Sequence, residues 1–366
     1  MLTLPALRAH PGIALRGAFD PRTDARAAFE AEFSAPSFST LDDMLNAGDI
    51  DAVYVASPQQ WHERQSVAAL SRGYHVLVEK PMAASLDEAH AMAAASQDAG
   101  QVLMVGPSHG YDPAVVRAAQ LIASGRFGSV KMVTAFNFTD FMFRPRRPEE
   151  LLRAQGGGVV LSQAAHQIDV VRRLVGQPVA SLRAVVGDWD AQRRGDGAYS
   201  ALMTFAGGAA ASLTYSGYAH YDSDELVGWV SELGHEKNAN DYGVARRQFV
   251  RLTEAAEQNA KEARTYRNGA ASPLPTHNEH FGFVLISCER ADLRLMPEGI
   301  FIYGDEAREF EPVLAAPIPR MQVLDTFIEA ILDGDGDDCH AAWGLETLKC
   351  CAALVRSSET SAEIWF

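Results

Sequence analysis

Short apolar segments alternate with helical patterns over the first hundred residues, and this alternation limits the possible folds more than any other feature. Residues 52–56, 75–78 and 102–106 are apolar runs of strand length. The stretches between them, 61–71 and 86–99, carry apolar residues at helical spacing. Strands that are buried on both faces and separated by helices form parallel sheets. The sequence therefore predicts a doubly wound α/β domain in the first part of the chain.

A different pattern begins at about residue 130, so we divide the chain into domains over residues 1–107 and 108–366. Apolar segments of strand length recur there and are joined by turns such as Gly207–Gly208. This pattern predicts an α+β domain with an open, mostly antiparallel sheet. We place its strands at residues 130–138, 182–188, 200–205, 209–215, 294–297 and 299–303.

Two polar stretches interrupt this second domain. Residues 225–268 are rich in Glu, Lys, Arg, Gln and Ala, and they predict a helical insertion. Residues 320–358 form a helical pattern that is divided by an acidic run at 333–338. That run lacks the ligand spacing and closing glutamate of an EF-hand calcium loop, so we interpret it as a solvated turn.

Composition excludes several classes of protein and favours a small-molecule substrate. The 366 residues include 32 Lys and Arg against 47 Asp and Glu, and a net charge of −15 disfavours nonspecific binding to nucleic acid or to anionic membranes. No apolar run reaches the roughly 20 residues that cross a bilayer, and no secretory signal is evident, so we expect a cytoplasmic protein. The four cysteines form no C-x-x-C pair, so no metal site is predicted.

Asp20 is a candidate cofactor-binding residue because it follows the apolar segment 13–19. A carboxylate at this place in a dinucleotide-binding domain accepts hydrogen bonds from the adenosine ribose, which favours NAD. Arg22 could instead meet a 2′-phosphate, so NADP stays open, and Asp20 taken alone is equally a turn residue. The strand and glycine-rich loop that normally precede it, roughly 20 residues, are missing. We interpret this as a start site assigned too far downstream, the alternative being a natural loss.

The tripeptide Glu79-Lys80-Pro81 follows the apolar run 75–78. Ligands of open α/β sheets bind at the carboxyl ends of the strands, so Glu79 and Lys80 are expected near the cofactor. A partly desolvated lysine there can donate a proton or a hydrogen bond to a substrate oxygen. The alternative for Lys80 is a surface lysine in a turn that ends at a proline.

A second strand end carries Ser57 and Pro58, with His62 at the start of the following helix. Such a polar turn can line the ribose and phosphate side of a cofactor, so all three are candidate cofactor-binding residues. His62 is more simply interpreted as a hydrogen-bonding residue at the beginning of a helix than as a catalytic residue.

A glycine stretch at 156–158 precedes Ser162, His166 and Asp169. Apolar positions recur at helical spacing from residue 159 onward, so Ser162 and His166 share a helix face and Asp169 lies about one turn further on. A histidine on such a helix is a plausible general base. The alternative is a buried histidine whose hydrogen bonds are satisfied within the core.

The motifs S-P-x-x-x-H, E-K-P and G-G-G followed by H-x-x-D, in this order, resemble the Gfo/Idh/MocA family of oxidoreductases. The resemblance covers nearly the whole chain and implies a Rossmann domain, NAD as the cofactor, and a second domain for substrate and oligomer contacts. It implies catalytic roles for Lys80 and His166. The family usually has Asp four residues before the histidine, where this chain has Ser162. Ser162 is therefore expected either to orient or relay through its hydroxyl, or to leave the acid–base work to the other two.

The segments 138–151, 162–167 and 216–225 resemble the phthalate 4,5-cis-dihydrodiol dehydrogenase branch of that family. Guanidinium groups pair bidentately with carboxylates, so a carboxylated substrate suits a loop with three arginines. The alternative for each arginine is a solvated loop or a salt bridge between subunits. The candidate substrate-binding residues are Arg144, Arg146, Arg147, His166 and Asp169.

Three hypotheses about function follow. The first is NAD-dependent oxidation of a carboxylated aromatic cis-dihydrodiol to a catechol, with proton removal by His166 and assistance from Lys80. The second keeps the reaction class but takes a sugar, an inositol or a hemiacetal as substrate. The third is a ligand-binding protein without catalytic activity. For all three, the resemblance implies a homo-oligomer formed through the sheet of the second domain.

Overall fold

The computed structural model describes residues 2–106, 108–241, 243–263, 265–266, 273–333 and 341–366. The chain forms two compact units. The first combines Met1–Pro107 with two later segments, Asn259–Pro273 and Ile318–Glu346. The second consists of Ser108–Gln258, Leu274–Pro317 and Thr347–Phe366.

The helices and the strands are each numbered in their order along the chain. The helices are α1 (Leu4–Ala9), α2 (Thr23–Phe33), α3 (Leu41–Asn46), α4 (His62–Leu70), α5 (Leu86–Ala99), α6 (Pro113–Ala123), α7 (Ala165–Val175), α8 (Val244–Phe249), α9 (Glu254–Glu262), α10 (Met321–Asp333) and α11 (Ala341–Thr360). The strands are β1 (Ala18–Phe19), β2 (Ser37–Phe38), β3 (Ala52–Val55), β4 (His75–Val78), β5 (Leu103–Val105), β6 (Val130–Phe138), β7 (Val179–Gly187), β8 (Ala198–Phe205), β9 (Ala210–Ser216), β10 (Phe283–Cys288), β11 (Asp292–Met296), β12 (Gly299–Tyr303), β13 (Arg308–Pro312) and β14 (Ile364–Trp365).

The first unit contains the predicted parallel strands with helices between them. β3, β4 and β5 pair in parallel as one sheet, and β1 and β2 pair in parallel as another. The central strand β4 is the most buried, with Val76, Leu77 and Val78 almost fully covered. This arrangement confirms the α/β prediction for the first part of the chain.

The apolar segment 13–19, which is long enough for a strand, forms one only at its last two residues. Only Ala18 and Phe19 pair, with Ser37 and Phe38, and residues 13–17 have no regular secondary structure. A strand extends only as far as a neighbour supplies backbone hydrogen bonds, and β2 is two residues long.

The second unit is built on a nine-stranded sheet in the order β13-β12-β11-β10-β6-β9-β8-β7-β14. Every neighbouring pair is antiparallel except β6 and β9. Burial alternates along β8, where Ala201, Met203 and Phe205 are buried and Leu202 is exposed. The prediction of an open, mostly antiparallel sheet is confirmed, and β10, β13 and β14 are strands that the sequence analysis missed.

The two polar stretches differ in outcome. The predicted insertion over 225–268 contains α8 and α9, separated by non-helical residues, so it is helical only in part. Residues 242, 264 and 267–268 of it lie outside the described residues. Asp333 is the last residue of α10, and the rest of the acidic run lies outside the described residues. Among the helices that are described, none is both long enough and apolar enough to cross a membrane.

Candidate active site

Glu79 and Lys80 leave the carboxyl end of β4 in the first unit. The Glu79 N–H donates to the carbonyl of Val55 at 2.9 Å, so the chain stays aligned with β3 for one residue beyond the strand. The Glu79 carboxylate accepts a hydrogen bond from the Tyr54 hydroxyl. Burial, together with the negative charge of Glu79, raises the pKa of Tyr54 far above its usual value, so the phenol keeps its proton. Glu79 is thus anchored by its neighbour strand immediately before Lys80.

His62 is fully buried at the start of α4, and both of its ring nitrogens face backbone carbonyls. Nδ1 lies 2.9 Å from the carbonyl oxygen of Pro81, and Nε2 lies 2.9 Å from that of Ser57. The Ser57 hydroxyl donates to Gln65 at 2.7 Å. His62 therefore links the turn after β3, which includes Pro58, to the turn after β4. This placement agrees with a hydrogen-bonding residue at the beginning of a helix.

Asp20 follows β1, as a ribose-binding carboxylate would. One oxygen of Asp20 accepts from the backbone N–H of Arg22 at 2.8 Å and from its Nε at 3.3 Å. About a third of each side chain is exposed, 32% for Asp20 and 37% for Arg22, so the carboxylate can accept further hydrogen bonds. The remaining acceptor capacity of the Asp20 carboxylate fits a ribose hydroxyl.

The glycine stretch before His166 forms a tight turn in the second unit. Gly156 and Gly158 have φ values of 77° and 88°, which side chains rarely adopt. A Cβ on Gly157 would lie 2.5 Å from the Glu149 carbonyl oxygen and 2.7 Å from the Leu152 nitrogen. The turn therefore requires glycine, and it leads through a short helical turn into the helix that carries His166.

His166 is buried at the start of α7 and touches the segment that precedes α6. Its Nδ1 lies 3.3 Å from the Ser108 hydroxyl oxygen and 3.4 Å from the backbone nitrogen of His109. The rings of His166 and His109 meet edge to face with centroids 4.7 Å apart. The ring of Phe281 completes this cluster, at 5.2 Å from His166 and 5.0 Å from His109.

His109 in turn forms a buried pair with Asp112, at 2.7 Å between Nδ1 and Oδ2. Burial lowers the pKa of His109, but the nearby Asp112 carboxylate outweighs burial and raises it above the usual value. Neither residue was singled out in the sequence. Asp112 and Pro113 form the Asp-Pro start of α6 directly after the β5 region, which is the signal that could have identified the segment.

Ser162 belongs to a π-helical turn, Val160–Ala164, that leads into α7. Its hydroxyl donates to the Gly158 carbonyl at 2.6 Å. The regular helical spacing assumed for Ser162 and His166 therefore does not hold, because a π turn follows i→i+5 hydrogen bonds. The single hydroxyl hydrogen of Ser162 serves the helix backbone.

Asp169 is buried three residues after His166. Its carboxylate packs against Gly110, where an added Cβ would lie 2.1 Å from Oδ2 and 3.1 Å from Nε of Arg173. The Arg173 guanidinium lies 4.6 Å from the centroid of the Tyr111 ring. Asp169 therefore contacts the same segment that holds His109.

The three predicted substrate arginines have different surroundings in the second unit. Arg144 donates to Asp140 at 2.9 Å; burial opposes its charge, but Glu232 and Asp140 raise the pKa of Arg144 above its usual value. The Arg146 guanidinium stacks 3.5 Å from the centroid of the Phe141 ring. The backbone N–H of Arg147 donates to Glu150 at 2.7 Å.

A fourth arginine, which the sequence analysis missed, holds this loop in place. Arg193 is buried, and its guanidinium donates to the carbonyls of Met142 and Arg144. It also pairs with Glu257 of α9, whose other contact is the backbone N–H of Arg146 at 2.7 Å. Nothing in the local sequence distinguishes Arg193 from the exposed arginine beside it, since its role depends on Arg144, 49 residues before it, and on Glu257, 64 residues after it.

Comparison with known proteins gives matches to both parts of the chain. Residues 2–107 match the family model described as an oxidoreductase family with an NAD-binding Rossmann fold. Residues 115–230 match the model of the GFO/IDH/MocA C-terminal domain.

One curated relative and several solved structures match almost the whole chain. The 1-carboxy-3-chloro-3,4-dihydroxycyclohexa-1,5-diene dehydrogenase of Comamonas testosteroni is 39% identical, over 98% of this chain and 92% of its own. A structure from Bordetella bronchiseptica RB50, described as a dehydrogenase, superposes with a TM-score of 0.93 at 38% identity over 100% of this chain and 96% of its own. Levoglucosan dehydrogenase in complex with NADH and levoglucosan shares the fold, with a TM-score of 0.73 at 19% identity over 99% and 93% of the two chains. The two domain matches and the full-length relative show that the chain belongs to the Gfo/Idh/MocA family of oxidoreductases.

Proposed function

We propose that the protein is an NAD-dependent dehydrogenase of a carboxylated cyclic cis-diol, of the phthalate 4,5-cis-dihydrodiol type, and that the product is a catechol. The observation that carries the proposal is the cluster of His166 with Phe281 and His109, which offers a polar ring edge within an aromatic surrounding. The full-length relative from Comamonas testosteroni supports it, because its name specifies a dihydroxycyclohexadiene with a carboxyl group.

The first unit supplies the residues that would hold the dinucleotide. Asp20 would accept hydrogen bonds from the adenosine ribose, and the turns at Ser57–Pro58 and Glu79 would line the rest of the cofactor. When bound, NAD supplies the acceptor for the hydride. Arg22 keeps NADP as the alternative cofactor, and a comparison of the two dissociation constants by calorimetry distinguishes them.

His166 would bind the substrate oxygen in the second unit. Any secondary alcohol needs a group that holds its oxygen and a group that accepts its proton. We retain Lys80 as a proposed acid–base residue on its sequence motif alone. Ser162 is a weaker candidate for a relay, since its hydroxyl donates to the helix backbone.

The substrate carboxylate would be recognised by Arg146 with Arg147. Arg144 is charge-balanced by Asp140 and Glu232, so it contributes less net positive charge to an incoming anion. Replacement of Arg146 by Ala should raise KM for a carboxylated diol far more than for an uncarboxylated one. Replacement of Arg194 by Ala, an exposed arginine that pairs with Asp188, is the matched control. Equal effects of Arg146→Ala on both substrates would overturn the assignment.

The second candidate is a dehydrogenase of a sugar, an inositol or a hemiacetal. It is supported by the similarity to 1,5-anhydro-D-fructose reductase of Ensifer adhaerens, which is 33% identical over 41% of this chain. Assays of a panel of polyols and aromatic cis-diols with NAD distinguish the two candidate functions. Turnover of polyols alone would support the sugar, inositol or hemiacetal dehydrogenase. Tight NAD binding without turnover of any alcohol would select a non-catalytic binding protein.

We also propose that the protein forms a homo-oligomer through the sheet of the second unit. Met132, Val185 and Leu202 are each about half exposed on β6, β7 and β8. Exposed apolar residues on one sheet face are typical of subunit interfaces. Leu202→Asp should lower the molar mass measured by light scattering, whereas Val250→Asp, at an exposed apolar position outside the sheet, should leave it unchanged.

A further inference from the structure

The hydrogen-bonding partners of His166 determine which of its nitrogens carries the proton. The backbone nitrogen of His109 lies 3.4 Å from Nδ1, with its hydrogen directed at the ring. A backbone N–H donates and cannot accept. Nδ1 can keep this bond only as an acceptor, and the hydrogen of the neutral ring then lies on Nε2.

The Ser108 hydroxyl supports the same state. Its oxygen lies 3.3 Å from Nδ1 of His166 and can either donate or accept. The His109 N–H already requires Nδ1 to be an acceptor. The Ser108 hydroxyl can therefore hydrogen-bond to Nδ1 only as a second donor. Two donors thus converge on one ring nitrogen.

The buried pair of His109 and Asp112 holds these donors in place. The contact between Nδ1 and Oδ2 is 2.7 Å, and less than a tenth of either side chain is exposed. The His109 ring packs against the rings of both His166 and Phe281, which also contact each other. The backbone carbonyl of Asp112 accepts from Val115 and Val116, so the pair is fixed to the first turn of α6.

We propose that Ser108, His109 and Asp112 are positioning residues that hold His166 in the neutral form with its hydrogen on Nε2. His166 then presents a hydrogen-bond donor to the substrate oxygen. The chain of contacts joins residues 57 positions apart in sequence and involves none of the residues that the sequence motifs single out except His166. The tautomer is a property of the protein without substrate. Only the expected effect on catalysis rests on the proposed function.

The tautomer can be measured directly by ¹⁵N NMR of the imidazole rings in the full-length protein labelled at histidine. The pair of ring-nitrogen resonances that disappears in His166→Gln is thereby assigned to His166. In the wild type we expect Nδ1 to resonate as an unprotonated nitrogen and Nε2 as a protonated one. In Ser108→Ala and Asp112→Asn both resonances should move towards the average of the two tautomers. A wild-type ring protonated at Nδ1, or variants indistinguishable from the wild type, would overturn the proposal.

Kinetics provide the second measurement. We expect kcat for the best alcohol substrate to fall roughly tenfold or more in Asp112→Asn, with a smaller change in KM, since the group lost acts through His166. Ser108→Thr, which keeps the hydroxyl, should recover the activity that Ser108→Ala loses. Asp305→Asn, at an exposed turn, is the control. If no alcohol is oxidised, the proposed function fails, but the NMR result still decides the tautomer.

Discussion

The guanidinium of Arg193 pairs with the carboxylate of Glu257 through two nitrogens, and both side chains are nearly buried, at 6% and 13% exposure. Bidentate pairs of this kind fix both distance and orientation. Arg193 also donates to the Arg144 carbonyl, and Glu257 accepts a hydrogen bond from the Arg146 N–H. The pair therefore holds the loop of residues 144–147 at two points of its backbone.

Glu257→Gln should lower the free energy of unfolding by about 2–4 kcal/mol, because it leaves the buried charge of Arg193 without its counterion. Glu254→Gln, at an exposed position of the same helix, should change it by less than about 0.5 kcal/mol. Urea denaturation followed by circular dichroism measures both. Equal, small effects of the two substitutions would show that the pair does not stabilise the loop.

Gly157→Ala should destabilise the second unit by about 2–4 kcal/mol, because the new Cβ would meet backbone atoms at 2.5–2.7 Å that cannot move aside as a side chain can. Gly304→Ala is the control, since its Cβ would meet its nearest neighbour at 3.6 Å. Thermal unfolding of both variants checks the prediction. A melting temperature that stays unchanged in Gly157→Ala would contradict the tight turn.

His62→Gln should lower the free energy of unfolding by about 1–3 kcal/mol, because both donors of the amide leave from one nitrogen and cannot reach the two carbonyls that lie against different edges of the imidazole ring. His90→Gln tests a histidine on the exposed face of α5 that bonds one carbonyl of its own helix. It should have little effect. If NAD affinity falls in His62→Gln while stability is unchanged, His62 contacts the cofactor instead.

Glu232 should contribute to stability in a pH-dependent way. Burial alone would raise its pKa, but Arg144, His109 and the hydrogen bond from Asn137 hold the pKa of Glu232 below its usual value of 4.5. The stability that ionised Glu232 contributes is therefore fully present above about pH 4.5. It is lost as the pH falls through the lower pKa that Glu232 has in the folded protein.

The difference in unfolding free energy between the wild type and Glu232→Gln should accordingly be largest near neutral pH and shrink in acid. Urea denaturation at about pH 7 and about pH 4 measures this difference. Glu306→Gln, at an exposed turn, should give the same small difference at both pH values. A Glu232→Gln difference that grows on acidification would contradict the predicted direction.

Local signals were sufficient for several elements. The sequence predicts α5 with its correct ends because Ser85 caps the helix by accepting from the Glu88 N–H and Gly100 ends it with a φ of 63°. β4 and β12 are also predicted with their correct bounds, since each is a short apolar run next to a turn. In these cases the interactions that set the ends lie within a few residues.

Strands of weak local character could not be predicted. β13 runs from Arg308 to Pro312, is mostly charged and has little burial, and it is a strand because it pairs with β12. Residues 13–17 show the converse, with an apolar pattern but no regular secondary structure. Whether a segment forms a strand depends on the hydrogen bonds that a neighbouring strand offers.

The sequence by itself determined the two-part architecture, the family, the glycine turn and the place of His166 on a helix, because apolar periodicity and motif spacing act over short distances. Only the tertiary structure decided which groups surround His166. Ser108 and His109 reach it from the segment that precedes α6, Asp112 holds His109, and Arg193 and Glu257 meet from segments 64 residues apart. Buried polar groups must find partners wherever the folded chain brings them, and that choice is made by packing rather than by neighbours in sequence.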